Sequence, residues 1–483
     1  MYSVDFPAAQ WATTPSDLND ESNVVIGLLS FDGVHSLKLS IPFGCLIGWP
    51  SVDENGIRTV THTIDGVSAE YAFGYSQKGD YYILRNVSSP GPGTSFPGAQ
   101  RQELRGTSLL ASRQEITPNP VIKSLCFSMP GLCEWAGART FKEEMILSDS
   151  RLESLSFQFR MEDVESIVLF QDNELRVAVE FSWKRKGGPA SRYSFQFETD
   201  CFVRMEFSGN LPLLDDAMSN YLFPTADFLS FCMGFRHSIG RVWFITDDDV
   251  KGEYYAAMLG VTGLPSVTRT DEMPFPFATV QDRIGTMLTR WYGFDGYARN
   301  AATMVVALMD DWKMPFDLFF LASAQALEAA SRIDVDDREI SDEELADKLQ
   351  AIKESNLSSK MKQWVKYKLG NAKWKSANRL ADDLLDRLEP VTSYVVPDVD
   401  RFKKDHRVHR DAYTHRRSLD GDQELSREHL YWHTSAVGVL AYAAVALALG
   451  IEPEAFLERL TTSRFRWFGI RRARQLYAKE AIA

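Results

Sequence analysis

The order of apolar and polar positions divides this chain into two regions of different period. Between positions 175 and 184, Leu175, Val177, Val179, Phe181 and Trp183 alternate with Arg176, Ala178, Glu180, Ser182 and Lys184. That is the period of a strand with one buried face. Gly187-Gly188 interrupts the run and Tyr193, Phe195 and Phe197 resume it, which predicts an antiparallel hairpin. Similar short runs occur at 24–31, 37–41, 58–64, 81–87, 167–170 and 201–207. Turn pairs such as Asp32-Gly33, Asn55-Gly56 and Asp65-Gly66, and the Pro/Gly/Ser-rich stretch 88–98, separate them. A helical piece at 211–232 and a strand at 241–246 close the region. The pattern predicts an antiparallel β-rich domain, sandwich or barrel-like.

After about position 275 the period changes to 3.6. Helices are predicted at 298–312, 316–333, 342–355, 360–369, 377–388, 429–449 and 453–460. Ser341 with Glu344 reads as a capping box, and Gly450 as the stop after a run ending in Leu449. The acidic stretch 334–347 reads as a solvated loop and first turn. A length of 483 residues exceeds one ordinary domain. The expected fold class is therefore α+β and multidomain, with a β-rich domain at 1–275 followed by an all-α helical bundle at 276–483.

A hydrophobic share of 45% and a charged share of 25% are those of a globular chain with material for large cores. The net charge of −13 argues against a surface that binds nucleic acid throughout. From Arg401 to Arg417 the sign reverses, with seven Lys/Arg against Asp405 and Asp411. The five cysteines are odd in number and scattered, with no CxxC pair and no zinc spacing, so all five are expected to be buried free thiols. The N-terminal residues lack a basic segment followed by an apolar one, and the Ala-rich stretch 435–449 is short for a membrane span. The expectation is a cytoplasmic protein with no membrane partner.

Chemistry concentrates near the end of the basic stretch. His406, His409, His415, His429 and His433 are five of the eight histidines, and Arg410-Asp411-Ala412-Tyr413-Thr414-His415 places a guanidinium five positions before an imidazole. Metal-free cleavage of an RNA phosphodiester needs a cation for the pentavalent phosphorus and a group titrating near neutral pH. His406 and His409 are expected to be solvated. His429 and His433, spaced i, i+4, could hold a metal, but no third ligand is evident, and neither metal nor cofactor is expected. Residues five apart on a regular helix lie about 140° apart. The motif therefore works at a helix end or bend, or in a site shared by two subunits.

The six residues from Arg410 to His415 look like the Arg-x4-His motif of HEPN ribonucleases. Residues 318–328, ending in Leu327-Glu328, are similar to the early HEPN helix that carries a Glu in an apolar setting. Asn378-Arg379-Leu380-Ala381-Asp382-Asp383-Leu384-Leu385 resembles the Arg-Leu-rich helix ahead of the motif, and 440–450 the closing apolar helix. Gly27-Leu28-Leu29 and Ile64-Asp65-Gly66 add to the likeness in the first half. The whole arrangement resembles ApeA-type anti-phage defence proteins, which join a β-rich N-terminal domain to a C-terminal HEPN domain.

The resemblance implies an endoribonuclease that cuts host or phage RNA and halts growth by abortive infection. Arg410 would hold the phosphate and His415 would move the proton, giving 2′,3′-cyclic phosphate ends. Asp411 would orient Arg410 or His415, and Glu328 would pair with the arginine. Lys403, Lys404, Arg407, Arg416 and Arg417 would supply a phosphate field, and Tyr413 would stack on a base or pack in the core. The spacing favours a homodimer through the HEPN domain. The β-rich domain shows no catalytic motif, so its expected role is sensing a phage-derived trigger or restraining the nuclease. The alternative is a non-catalytic HEPN protein, an RNA-binding or dimerisation scaffold. Bland readings stand beside each site: a charged surface helix for Arg410 and His415, and a structural salt bridge for Glu328. The run of Arg464, Arg466, Arg471, Arg472 and Arg474 around Phe465, Trp467 and Phe468 could touch nucleic acid or pack its aromatics inward.

Overall fold

The computed structural model describes residues 4–21, 23–32, 37–47, 51–52, 58–59, 67–89, 93–95, 99–137, 141–148, 151–159, 166–186, 196–236, 238–256, 269–309, 315–415, 425–464 and 469–478. Two compact units emerge: Met1–Ala226 with His237–Thr268, and Asp227–Arg236 with Arg269–Ala483.

In the first unit six antiparallel strands close into a barrel. Tyr81–Ser89 pairs with Val67–Ser76, and the ladder continues through Ala9–Ala12, Val25–Phe31, Leu37–Ile41 and Ala99–Gly106. Arg105 of the last strand returns to Ser88 of the first and closes the ring. Inward positions follow the two-residue period: Leu29 and Phe31, then Leu37, Leu39 and Ile41, are buried while Ile26 and Leu28 face out. Trp11 fills the barrel interior, and its indole fits because the facing strands carry Gly27 and Gly74 there. A Cβ would lie 3.0 Å from the ring at Gly27 and 2.9 Å from it at Gly74.

The strand Ala99–Gly106 has little apolar pattern, yet Gln102 is buried in it. Its Oε1 accepts from the backbone N–H of Leu46 at 2.8 Å and of Ile47 at 3.3 Å, and its Nε2 donates to Ile47 O at 2.8 Å. One amide thus satisfies a loop segment that no ladder reaches. Replacing Gln102 by Leu strands the Leu46 and Ile47 N–H groups, leaves Ile47 O only the Cys45 thiol, and is expected to cost about 2 kcal/mol. The check is urea unfolding of the barrel followed by Trp fluorescence.

The strand Tyr81–Ser89 also starts an open extension. Ser108–Ser112 pairs with Tyr81–Arg85, and the sheet runs on through Lys251–Ala256, Val242–Thr246, Ile122–Ser128, Gln196–Phe207 and Leu175–Lys186 to Ile167–Gln171. The predicted hairpin is present, in register from Leu175↔Phe207 to Lys186↔Gln196. Residues 187–195 at its tip and 60–64 of another predicted strand lie outside the described residues. The cysteine expectation is corrected. Cys133 and Cys201, with Cα atoms 5.4 Å apart, form a disulfide, and Cys45, Cys126 and Cys232 are buried free thiols. Cys201 sits on the strand Gln196–Phe207 and Cys133 on the short helix Leu132–Ala136, a pairing that the 68-residue separation hides in the sequence.

The second unit is all helical where the chemistry lies. Its central helix, Arg427–Ala448, is capped by Ser426, whose hydroxyl accepts from His429 N at 3.2 Å. It stops at Gly450, which takes φ +88°, while Ile451 N donates back to Ala446 O at 2.9 Å. Gly296–Leu308 and Phe316–Ala330 pack against it, and at Gly438 a Cβ would lie 4.0 Å from the Ser323 hydroxyl of the latter. Tyr442 stacks on Phe231 at 4.4 Å and donates its hydroxyl to Phe231 O, so the apolar layer carries no stranded phenol. By length and composition this helix could cross a membrane, but 83% of its apolar window is buried within the fold. It is a core helix.

Candidate active site

The Arg-x4-His motif lies on one helix, Val399–His415, which runs unbroken through Arg410. Asp398 caps it, its carboxylate accepting from Arg401 N at 3.1 Å. The 3.6 period places Phe402, His406, His409 and Ala412 on an inward stripe, and all four are buried. Arg410 falls on the margin of that stripe with its side chain 22% exposed. The guanidinium is thus half withdrawn from water and still reachable.

Two carboxylates hold it. Arg410 Nη2 donates to Asp411 Oδ1 at 2.8 Å, with Nε at 3.3 Å from the same oxygen. Arg410 Nη1 stands 3.8 Å from Oε2 of Glu328, near the end of the helix Phe316–Ala330. Glu328 is half-exposed, and its other oxygen lies 4.0 Å from Arg332, which also pairs with Asp337 at 3.2 Å. Arg332 is not among the residues expected at the site, although its i+4 spacing from Glu328 is a usable signal. A cation held between two carboxylates keeps its fork oriented while leaving donors for a phosphate.

His415 is the last described residue of the same helix, and its side chain lies outside the described residues. Its backbone position is about 140° around the helix axis from Arg410. Lys403 and Arg407 are drawn to another helix, Ala377–Arg387. Lys403 lies 3.9 Å from both Asp382 and Asp386, and Arg407 hydrogen-bonds Asp382. Lys404 is exposed. Tyr413 is half-buried with its ring 4.7 Å from that of Phe320. Arg416 and Arg417 lie outside the described residues, as do Phe465, Arg466, Trp467 and Phe468. Of the remaining C-terminal basic run, Arg464 pairs with Asp271 at 3.4 Å and Arg474 covers the ring of Tyr394 at 3.9 Å.

The expectation of solvated histidines is corrected. His406 is 8% exposed and His409 1%, because both fall on the inward stripe begun by Phe402. His409 sits 2.9 Å from Asp405 O through Nδ1, while its Nε2 accepts from Leu425 N at 3.2 Å. A carbonyl partner requires the proton on Nδ1, so one neutral tautomer satisfies both nitrogens. His433 is fully buried, with Nδ1 2.6 Å from the Tyr477 hydroxyl, which is itself 3.3 Å from Asp405. Nδ1 of His406 and Nε2 of His433 are buried without a hydrogen-bond partner. Burial first, then the charge of Arg410, pushes His406 down to about 4, and burial first, then the neighbouring His406 and His409, pushes His433 well below its usual range. Both rings are therefore neutral packing elements at pH 7. His429 is exposed while His433 is buried, and among the described residues no cluster of His, Cys, Asp or Glu has a metal-binding arrangement.

A helical domain that displays Arg-x4-His beside a helix carrying Glu328, following a β-rich domain in the chain, has the organisation of a HEPN protein. The family model for the ApeA N-terminal domain 1 matches residues 10–291, more than half the chain, and the model for the Apea-like HEPN domain matches residues 321–455. The chain belongs to the ApeA family and is an anti-phage defence protein with a C-terminal HEPN domain. Glu328, Arg410 and His415 all fall within the HEPN match. Comparison with curated proteins and with solved structures finds no match.

Proposed function

We propose that the protein is an endoribonuclease that needs no metal and acts by abortive infection. The observation that carries this reading is the half-buried Arg410 guanidinium, braced by Asp411 and Glu328 on the helix that also bears His415. The ribose 2′-OH attacks the adjacent phosphorus, an imidazole takes its proton, and the bond from phosphorus to the 5′-oxygen breaks as that oxygen gains a proton. Arg410 carries the extra charge of the pentavalent intermediate. The products are a 2′,3′-cyclic phosphate and a 5′-hydroxyl. The 140° between Arg410 and His415 on a straight helix supports a site completed by a second copy, the arginine of one helix meeting the histidine of its mate. The β-rich domain senses a phage-derived trigger and releases the nuclease.

Purified protein incubated with total RNA in EDTA, with and without an infected-cell extract, tests the reading. Cleavage by the unsubstituted chain and none by His415→Ala supports it. No cleavage under either condition leaves the RNA-binding or dimerisation scaffold. Glu328→Gln should slow cleavage about fivefold, the equivalent of about 1 kcal/mol for a half-exposed ion pair, with no change in thermal midpoint. An unchanged rate would make Glu328 a structural residue only.

A further inference from the structure

The helix Ser359–Ala372 and its neighbour Asp342–Glu354 form a helical hairpin in which no residue of the latter is buried. The stretch 355–381 holds seven Lys/Arg and no acid, in a chain of net charge −13. At 100° per residue Lys360, Trp364, Tyr367 and Lys368 share one face of Ser359–Ala372 about 100° wide. The half-buried Val365 and Leu369 lie outside this face, about 60° and 100° beyond Lys368. Trp364 is 56% exposed and Tyr367 67%. Lys368 reaches over the Trp364 ring at 5.8 Å, and among the described residues neither it nor Lys360 has a carboxylate in ion-pair reach.

We propose that this face is where the protein grips single-stranded RNA. Exposed aromatic rings offer stacking platforms to unpaired bases, and flanking ammonium groups take the phosphates between them. A protein partner fits less well, because interface cores exclude lysine. The expected phosphate contacts of Lys403 and Arg407 are taken up by Asp382 and Asp386, which leaves those two side chains less free for RNA. The inference rests on the ribonuclease reading for its ligand and deepens it by locating substrate capture away from Arg410.

The test uses full-length protein carrying His415→Ala, so that RNA survives, and a fluorescently labelled 20-nucleotide oligouridine followed by anisotropy. Adding Trp364→Ala and Tyr367→Ala together should weaken binding at least tenfold, about one lost stacking contact at 1.4 kcal/mol. Adding Lys360→Gln and Lys368→Gln should lower the slope of log affinity against log salt by about 1.4, at about 0.7 per phosphate contact. Affinity and slope unchanged within twofold would overturn the proposal, as would a His415→Ala chain that binds no RNA. A dimer that falls to monomer by light scattering while keeping its RNA affinity would give the face to a second copy and overturn it too. Failure of the nuclease reading looks different: binding would depend on this face while the unsubstituted chain cuts nothing.

Discussion

Replacing Arg410 by Ala is expected to lower RNA cleavage about 10³-fold, the cost of losing a positioned cation at a phosphoryl transition state. Its described neighbours Arg407, Arg332 and His406 do not substitute. Arg407 is engaged by Asp382, Arg332 by Glu328 and Asp337, and His406 is neutral, being held down to about 4 mainly by burial. Arg410→Lys keeps the charge but loses the planar fork that two carboxylates align, so it should recover only a small part of the rate. Because Arg410 is half-buried beside the packed stripe and not in it, Arg410→Ala should leave the thermal midpoint nearly unchanged, which separates loss of chemistry from loss of fold. Co-expression of Arg410→Ala with His415→Ala chains extends the test. Mixed pairs retain one arginine and one histidine and should regain cleavage if the site is shared. Two inactive chains that remain inactive together would place the site within one chain.

Acidification is expected to loosen the helical unit well before carboxylates titrate. In the fold His406 and His433 are neutral, and in the unfolded chain each titrates near 6.5. Between that value and about 4 the unfolded state binds protons that the folded state refuses. Stability from this source is complete above about pH 6.5 and falls as pH drops, by about 3 kcal/mol from His406 alone at pH 4, with His433 acting in the same direction. The groups facing this pair are Arg410, Arg407, His409, Asp411, Asp405 and Tyr477; among them, Asp411 favours the charged form of His406 and is outweighed by burial. Urea unfolding followed by helical circular dichroism at pH 7, 6 and 5 measures the effect. His406→Leu should reduce the decline between pH 6.5 and 5; a decline of unchanged size would show that His406 does not carry it.

Elements with one solvent face were readable from residue order. Leu175 to Trp183 alternate, and the hairpin they predicted is present; Leu37–Ile41 lies where the pattern put it. Strands covered on both faces, or holding polar residues inward, were not. In Ile122–Ser128 the consecutive Leu125, Cys126 and Phe127 are all buried, which erases the two-residue period. In Ala99–Gly106 an inward amide, Gln102, stands where a pattern search expects an aliphatic side chain. The motif helix failed for a related reason. Its inward stripe is Phe402, His406 and His409, polar enough by composition to look solvated, and its histidines were misplaced accordingly. Arg410, Asp411 and Glu328 were nominated chiefly by the resemblance to the HEPN motif, and the fold brings the three together. The capture of Lys403 and Arg407 by Asp382 was not visible, because charge runs show abundance and not pairing. The disulfide between Cys133 and Cys201 depends on a contact across 68 residues that no local pattern encodes.

The central claim is RNA cleavage by an arginine and a histidine through attack of the 2′-hydroxyl. Its most direct measurement is the chemistry of the RNA ends produced by triggered, purified protein in EDTA, read by phosphatase and polynucleotide kinase sensitivity. The expected result is a 2′,3′-cyclic phosphate and a 5′-hydroxyl at every cut, absent from Arg410→Ala and His415→Ala digests. Ends bearing a 3′-hydroxyl and a 5′-phosphate, or the same cuts in the His415→Ala digest, would contradict it.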